Sequence, residues 1–345
     1  MEHTQEQQLL QAAAAGDLVK LNQLTDEGVD VAYQDPETGM SALMHAADER
    51  KKEAVEMLLE AGTPWNLLDK DGYCAGEYAA GCPELVELLL GWGAQAEMVL
   101  GAAERASRGQ SASTSSAVNS DYLQQRLHYS ADGTKLLDAD GEAVMMGWEG
   151  PLMERHAEVI CSHGPDRAGP GRGGDVLNVG FGLGLIDEAI QRHRPRSHTI
   201  IEAHPDVYKH ALDKGWDKRA NLLLGRWQDV LPTLGDRKFD GIFFDTYGEY
   251  YGEMSDFHEL LPKLLKPGGV YSFFNGLAPD NIFFHTVEGR VAQLELETLG
   301  LTTSYERVAI KEAIDEEVWE GVRNKYWKLP FYFLPTCIFN APQQS

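Results

Sequence analysis

Val176-Leu-Asn-Val-Gly-Phe-Gly-Leu-Gly-Leu-Ile186 reads as a buried apolar strand that ends in a glycine-rich turn and opens directly into a helix. Gly180, Gly182 and Gly184 remove side chains where a backbone must approach a bulky ligand. The helix behind them offers free N–H groups. A second apolar strand follows, His198-Thr-Ile-Ile-Glu202, and it ends in a carboxylate. An acid at the tip of the second strand of a βαβ unit can accept hydrogen bonds from both hydroxyls of a ribose. Together these features indicate an adenosine-containing cofactor, without saying which one.

Beyond Ile186, apolar strands and amphipathic helices keep alternating. Strands are expected at 176–180, 198–202, 221–225, 239–245, 269–274, 303–310 and 331–339, with helices at 184–192, 205–213, 256–266 and 287–299. That order predicts an α/β fold with a doubly wound, mostly parallel sheet. Two features separate it from a nicotinamide-binding sheet. The fourth strand ends in an acid, Phe243-Phe-Asp245, at the carboxyl edge where such sheets bind ligands. The following helix is expected to end at Leu264-Leu-Lys-Pro-Gly-Gly-Val270, a lysine followed by a turn into the next strand. In this order, these elements resemble the class I (Rossmann-like) S-adenosylmethionine-dependent methyltransferases.

Toward the N-terminus, residues 5 to about 100 repeat with a period of about 33 residues. Leu10-Gln-Ala-Ala-Ala-Ala-Gly-Asp17, Ser41-Ala-Leu-Met-His-Ala-Ala47 and Cys74-Ala-Gly-Glu-Tyr-Ala-Ala80 each place an Ala-Ala pair at a corresponding point. Helical leucine patterns follow (Leu18/Leu21/Leu24, Val55/Leu58/Leu59, Leu85/Leu88/Leu89), and then Gly28, Gly62 and Gly93. The pattern resembles ankyrin repeats, a family that usually binds proteins, and implies a small all-α solenoid. Glu104 to Ser120 has almost nothing to bury and reads as a linker, and a second glycine-rich break runs from Gly164 to Gly174. The expected organisation is a repeat module at 1–103, a flexible linker at 104–120 and a catalytic domain at 121–345.

The chain of 345 residues carries 54 acidic against 30 basic residues, a formal charge of −24. Such a field repels phosphate backbones and anionic membranes and attracts cationic protein segments. Lys and Arg form no patch, so nucleic acid is not an expected partner. Cys74, Cys82, Cys161 and Cys337 show no C-x-x-C pair, and the histidines no ligand spacing. Reduced thiols in the cytoplasm or nucleus are expected, with no metal. No apolar run suggests a signal peptide or membrane anchor.

Val144-Met-Met-Gly-Trp-Glu-Gly-Pro-Leu-Met153, Gly225-Arg-Trp-Gln-Asp-Val-Leu-Pro-Thr-Leu234 and Asp245-Thr-Tyr247 narrow the chemistry. With the motifs above they resemble guanidinoacetate methyltransferases over about residues 122 to 340. Ankyrin repeats joined to such a domain resemble the type IV protein arginine methyltransferases, which modify the internal δ-nitrogen of a protein arginine. A guanidinium is a poor nucleophile because its lone pairs are delocalised and it stays protonated. Two carboxylates gripping its N–H groups would orient one nitrogen toward a sulfonium methyl and accept the released charge. Glu149 and Asp245 are the candidates, and the resemblance assigns both to guanidine binding, with Asp245 the proton acceptor. On other readings, Glu149 caps the helix beginning at Pro151 and Asp245 holds a turn.

The resemblance implies that Gly180, Phe181, Gly182, Leu183, Gly184, Leu185 and Ile186 pass beneath the methionine part of S-adenosylmethionine. It places Glu202 on the ribose, and Ala203, His204, Trp227 and Gln228 near the adenine. Met145 and Met153 fall near the reacting methyl, with Met145 also touching substrate, and Tyr122 is an upstream aromatic contact. Either methionine would serve equally as core filling. Tyr247, Tyr250 and Tyr251 are candidates for a substrate wall, and Asn275 is a candidate substrate contact. Asn275-Gly-Leu-Ala-Pro279 departs from the Asn-Leu-Thr-Ser with which the guanidinoacetate enzymes receive a small carboxylate, which favours arginine within a protein. The expected partner is a basic protein substrate, recruited by the repeats. Three alternatives stand beside this reading: a small-guanidine methyltransferase, a non-catalytic ankyrin adaptor that senses cofactor, and a nucleotide-binding oxidoreductase.

Overall fold

The computed structural model describes residues 4–109, 121–162, 173–247, 251–311 and 315–340. The chain divides into two compact units, Met1–Glu104 with Asn281–Val291, and Arg105–Asp280 with Ala292–Ser345.

The first unit holds helices α1 (Gln5–Ala15), α2 (Leu18–Asp26), α3 (Ala42–Asp48), α4 (Lys52–Glu60), α5 (Ala75–Tyr78) and α6 (Pro83–Gly109). Thr4 and Gln7 form a reciprocal cap on α1, Gly16 ends it in the left-handed region, and Asp17 and Ser41 accept from the backbone of Lys20 and Met44 to start α2 and α3. The alanine pairs Ala12-Ala13 and Ala46-Ala47 are buried between helices, whereas Ala80 of the third copy is exposed. Leu21, Leu24, Val55, Leu58 and Leu59 fill the space beneath them. Gly28 and Gly62 have positive φ in the turns where the repeat pattern puts them.

Gly93 lies instead inside α6, where a Cβ would meet the Trp65 ring at 3.1 Å and Val287 at 3.2 Å. No capping residues surround it, so the helix runs on to Gly109 and takes in the first part of the expected linker. The remainder, 110–120, and residues 163–172 of the second glycine-rich break lie outside the described residues. By length and composition, Pro83–Ala103 of α6 would also suffice to cross a membrane, contrary to the sequence expectation. Its Leu85, Leu89, Leu90 and Ala94 are buried in the protein, whereas Val99 and Leu100 are exposed. Asn281–Val291 completes this unit although it lies within the segment assigned to the catalytic domain. Asn281 donates to Glu77 Oε2 (2.8 Å), Arg290 pairs with Glu87 (2.6 Å), and Trp65 meets Phe284 edge to face at 5.4 Å.

The second unit begins with a three-stranded antiparallel sheet, β1 (His128–Tyr129), β2 (Lys135–Leu137) and β3 (Ala143–Met146). Then come α7 (Gly150–Ser162), β4 (Asp175–Val179), α8 (Leu185–Arg192), β5 (Ser197–Glu202), α9 (Pro205–Asp213), β6 (Asn221–Leu224) and α10 (Trp227–Val230). The chain continues through β7 (Phe239–Phe244), α11 (Tyr251–His258), α12 (Leu261–Leu264), β8 (Leu265–Phe273), α13 (Ile282–Thr298), β9 (Leu301–Ala309) and β10 (Phe331–Phe339). These seven later strands form one sheet in the order β6-β5-β4-β7-β8-β10-β9. Strands β4 to β8 are parallel, and β10 runs antiparallel between β8 and β9. The core packs Phe239, Ile242 and Phe244 of β7 against Trp227, Phe257, Leu261 and Leu296.

The expected helix at 256–266 is two short helices, and the strand already begins at Leu265, so Lys266-Pro-Gly-Gly lies within β8. Gly268 at φ +73 accompanies a register irregularity opposite β7. Lys266 does not cap a helix there. Its ammonium pairs with Asp175 at 2.6 Å and Asp240 at 2.8 Å.

Candidate active site

The winding reverses between β4 and β7: β5 and β6 extend the sheet on one side of β4, and β7 and β8 on the other. Loops at such a switch point diverge and leave a crevice at the carboxyl edge. Gly180 follows β4 there and Asp245 follows β7. Their strands are tied at the edge by Asp245 N–H to the Val179 carbonyl (2.9 Å) and Gly180 N–H to that of Ile201 (2.8 Å).

The turn after β4 has Gly180, Gly182 and Gly184 all at positive φ. Gly184 is the N-cap of α8, and the ring of Phe181 folds back against it. Glu202 fastens the turn from the next strand. Its two carboxylate oxygens accept the backbone N–H groups of Phe181 (2.8 Å) and His204 (2.7 Å). Burial nevertheless raises the Glu202 pKa above the ordinary carboxylate range. Asn178 supports the same turn from below, donating to the Gly180 carbonyl (2.7 Å) and to Asp187, which faces His198 at 3.0 Å.

Around this turn lies a cleft at the carboxyl edge of the sheet. Of the residues singled out in the sequence, Tyr122, Met145, Gly180, Phe181, Gly182, Glu202, Ala203, Trp227, Asp245 and Tyr247 line it. Met145 reaches over the glycine turn, where its Sδ accepts from Leu183 N–H at 3.2 Å. Tyr122 stands between His204 and Tyr247, with ring centroids at 5.0 and 4.9 Å.

The other candidates sit outside the cleft lining. Met153 is fully buried on α7 and packs as core, and Ile186 is buried on α8 behind Gly184 and Leu185. His204 is the N-cap of α9, its ring accepting from Asp206 N–H, so its part is to end the loop rather than to face the cavity. Trp227 and Gln228 begin α10 instead of ending a strand, and only Trp227 borders the cleft. Asn275 is buried, its N–H donating to the Tyr332 hydroxyl (2.7 Å) and its amide to the Phe333 carbonyl (3.1 Å). It fastens the end of β8 to β10 and is not among the residues that line the cleft. Tyr250 lies outside the described residues, and Tyr251 is the first residue of α11.

The two carboxyls singled out for the chemistry have different surroundings. Glu149 ends a 3-10 turn, Gly147–Glu149, that leads into α7. Its Oε1 accepts Met146 N–H (2.8 Å), a cap on that turn rather than on α7, and the Tyr326 hydroxyl (2.5 Å). Its Oε2 has no hydrogen bond among the described residues. Burial first, and then the charge of Asp245, push its pKa up. Asp245 lines the cleft, and its carboxylate has no hydrogen-bond partner among the described residues. Burial first, and then the charge of Glu202, raise it as well. Two carboxyls sharing one region of low dielectric, with oxygens left over, have the acceptors that a planar cation with N–H groups requires.

Sequence reasoning missed part of this site. Leu136 and Val144 reach the cleft from the β2–β3 hairpin, which Asp140-Gly141 signals in retrospect. Tyr129 stacks on His210 at 3.8 Å and donates to the Gly182 carbonyl (3.1 Å). Arg226 and Thr246 also line the cleft. Tyr326 stands far along the chain in an aromatic run with no local signal.

The chain is similar to known proteins along most of its length. The family model described as "Guanidinoacetate N-methyltransferase" matches residues 113–338, and that described as "Ankyrin repeats (3 copies)" matches residues 9–98. Protein arginine N-methyltransferase 2 of Cryptococcus neoformans is 37% identical over 350 residues, covering 95% of this chain and 93% of its own. The protein of the same name from Aspergillus oryzae is 33% identical over 408 residues, covering 96% of each. That of Saccharomyces cerevisiae is 35% identical over 223 residues, covering 63% of this chain and 52% of its own.

Proposed function

The chain belongs to the guanidinoacetate N-methyltransferase family, in the ankyrin-bearing branch of its protein arginine N-methyltransferase 2 relatives, and from that premise we propose that it methylates the δ-nitrogen of arginine in a protein, using S-adenosylmethionine. The observation that carries the proposal is the pair of Glu149, which is buried, and Asp245, which is half-buried and lines the glycine-turn cleft, each with carboxylate oxygen to spare. The cleft fits the cofactor. Glycines at 180 and 182 admit a backbone-close ligand, Glu202 borders it at the position of a ribose acid, and Trp227 and Tyr122 supply aromatic walls.

Bound S-adenosylmethionine would supply a methyl group on a sulfonium that leaves as a neutral thioether. Glu149 and Asp245 hold the guanidinium by its N–H groups, so that one nitrogen lies in line with that methyl. Asp245 takes the proton that the nitrogen loses as its bond to carbon forms, and its raised pKa suits it to that acceptance. Glu149 balances the remaining positive charge.

Two observations favour a protein substrate over a small guanidine. Asn275 is occupied by β10, and Ala278 beyond it takes positive φ, so the segment differs from a small-carboxylate receptor. The charge of −24 suits a basic protein, and the repeats would recruit it. A reducing compartment, cytoplasm or nucleus, suits the unpaired cysteines.

The test is to incubate the enzyme with methyl-labelled S-adenosylmethionine and either guanidinoacetate or an acid-extracted basic protein fraction. Fragmentation mass spectrometry then separates δ- from ω-methylarginine. Label on the δ-nitrogen of protein arginine is expected. Label only on guanidinoacetate would make the chain a small-guanidine enzyme, and label on neither would support an adaptor.

A further inference from the structure

Tyr326 belongs to the β9–β10 connection, yet its hydroxyl is inserted beside Glu149, 177 positions earlier in the chain, at 2.5 Å from Oε1. The ring is held from several sides. Trp319 meets it edge to face at 4.8 Å, and Trp148, the neighbour of Glu149, lies at 5.9 Å. The connection is itself fastened to the β2–β3 hairpin. Arg323 N–H donates to the Gly141 carbonyl (2.8 Å), Lys135 to the Glu320 carbonyl, and Asn324 to Glu142.

A buried tyrosine hydroxyl needs a partner, and a backbone carbonyl would serve for packing alone. Here the partner is the carboxylate that the proposed chemistry requires to be charged. Burial, and then Glu149 itself, hold the phenol pKa well above its usual value, so it keeps its proton and donates it to Glu149. Oε1 is thereby filled by two donors, Tyr326 and Met146 N–H, and Oε2 is the oxygen left. We propose that Tyr326 is a positioning residue: its hydroxyl fixes the orientation and the charge of Glu149, leaving Oε2 for the guanidinium. The proposal rests on the reading that Glu149 grips a guanidinium.

Among the described residues, the charged and titratable groups that face Glu149 are Asp245 from the end of β7, Tyr326 from the β9–β10 connection and Tyr332 from β10. Asp245 disfavours the carboxylate and Tyr326 favours it. Tyr326→Phe removes the one favourable side-chain contact and keeps the ring. At neutral pH its kcat/KM should fall by roughly tenfold to a hundredfold, the range for losing a hydrogen bond to a charged group. The acidic limb of the pH profile should move upward by about one unit or more. S-adenosylmethionine affinity should stay unchanged.

The measurement is the pH dependence of methyl transfer to the acid-extracted basic protein fraction. It is paired with an infrared difference titration in which the Glu149 carboxyl band is identified by its loss in Glu149→Gln. Site-specific 3-fluorotyrosine at 326, a stronger donor of the same shape, should move limb and band the opposite way. In the Glu149→Gln background Tyr326→Phe should move no limb. A loss of rate equal at every pH, or a carboxyl band that titrates alike with tyrosine, fluorotyrosine and phenylalanine, would overturn the proposal. A wild-type enzyme that methylates nothing in the fraction would remove the functional reading instead, and the infrared titration would still decide whether Tyr326 governs Glu149.

Discussion

The carbonyl oxygen of Asp245 occupies the place where any residue other than glycine at 180 would carry its side chain: an ideal Cβ there stands 1.8 Å from it. Gly180 also has φ +97, so a side chain is refused by conformation as well as by space. The glycine turn and the proposed proton acceptor are thus built against each other. Because the obstacle is backbone, it cannot swing aside. Gly180→Ala should cost about 1–3 kcal/mol for overpacking, with a further ~1–3 kcal/mol for strain. Cofactor binding should be lost with it. Thermal unfolding and calorimetric titration check both, and a stable variant that binds S-adenosylmethionine normally would contradict this account.

Glu202→Ala should weaken S-adenosylmethionine binding by roughly 1.5–3 kcal/mol, the range for charged hydrogen bonds. Since Glu202 also holds the amides of Phe181 and His204, the turn itself should loosen. Hydrogen exchange at Phe181 and Gly182 should therefore quicken in the unliganded variant. Unchanged affinity in a folded protein would leave Glu202 as a loop fastener only.

The alternation of strands and helices made the doubly wound sheet legible, because parallel strands buried on both faces are continuous apolar runs. The cofactor turn was legible for a related reason: glycines at 180, 182 and 184, directly after an apolar strand, mark a backbone bared for close approach. Boundaries failed where tertiary structure overrode local signals. Leu265 to Gly269 reads as a helix end but lies within β8, and Gly93 reads as a turn but continues α6. Asn275 and His204 carry matching motifs, yet their side chains are engaged in holding the fold. Tyr326 could not be read, because its partner lies in a distant segment and only the folded chain brings them together.

From the linker pattern alone, removal of residues 1–103 should leave an intact catalytic domain. The structure changes that expectation. Phe283 and Val287 are buried, and Asn281–Val291 belongs with the repeats, so truncation uncovers apolar surface on α13. A variant beginning at Asn119 should melt lower and self-associate, as well as methylate protein less efficiently through a raised KM. Replacing Phe283 and Val287 by polar residues in that variant should restore solubility and leave the KM defect. A truncated protein that is monomeric, stable and fully active on protein would show the repeats to be dispensable.

Asp245→Asn should lower kcat by about 10²–10⁴ while leaving cofactor affinity nearly unchanged, because the group acts on the proton that arginine loses. Glu149→Gln should lower turnover and weaken substrate binding together. The double variant should cost less than the sum of the two, since both acids hold one planar cation. Initial rates and substrate titrations decide it, and near-normal turnover by both single variants would leave the site without its acids.

Holding two carboxyls where their charge is disfavoured, without a cation, should make the free enzyme less stable at neutral pH, and the sign follows from their raised pKa values. An acid whose pKa is higher folded than unfolded holds its proton longer in the native state. Its penalty is therefore absent below the ordinary carboxylate range and grows as pH rises through the folded value. Glu149→Gln and Asp245→Asn should each raise the melting temperature at pH 7–8, by roughly 2–4 °C per kcal/mol relieved, and change it little near pH 4. In more acidic solution the wild-type curve should turn down again. Asp175, held low chiefly by Arg196 and also by Lys266, loses its ion pairs when it is protonated. Binding of an arginine-containing substrate should stabilise the wild type more than either variant, because only the wild type has both charges for the cation to neutralise. Melting curves across pH, with and without substrate, provide the test. Variants that are less stable than the wild type at neutral pH would mean that Glu149 and Asp245 serve the fold first.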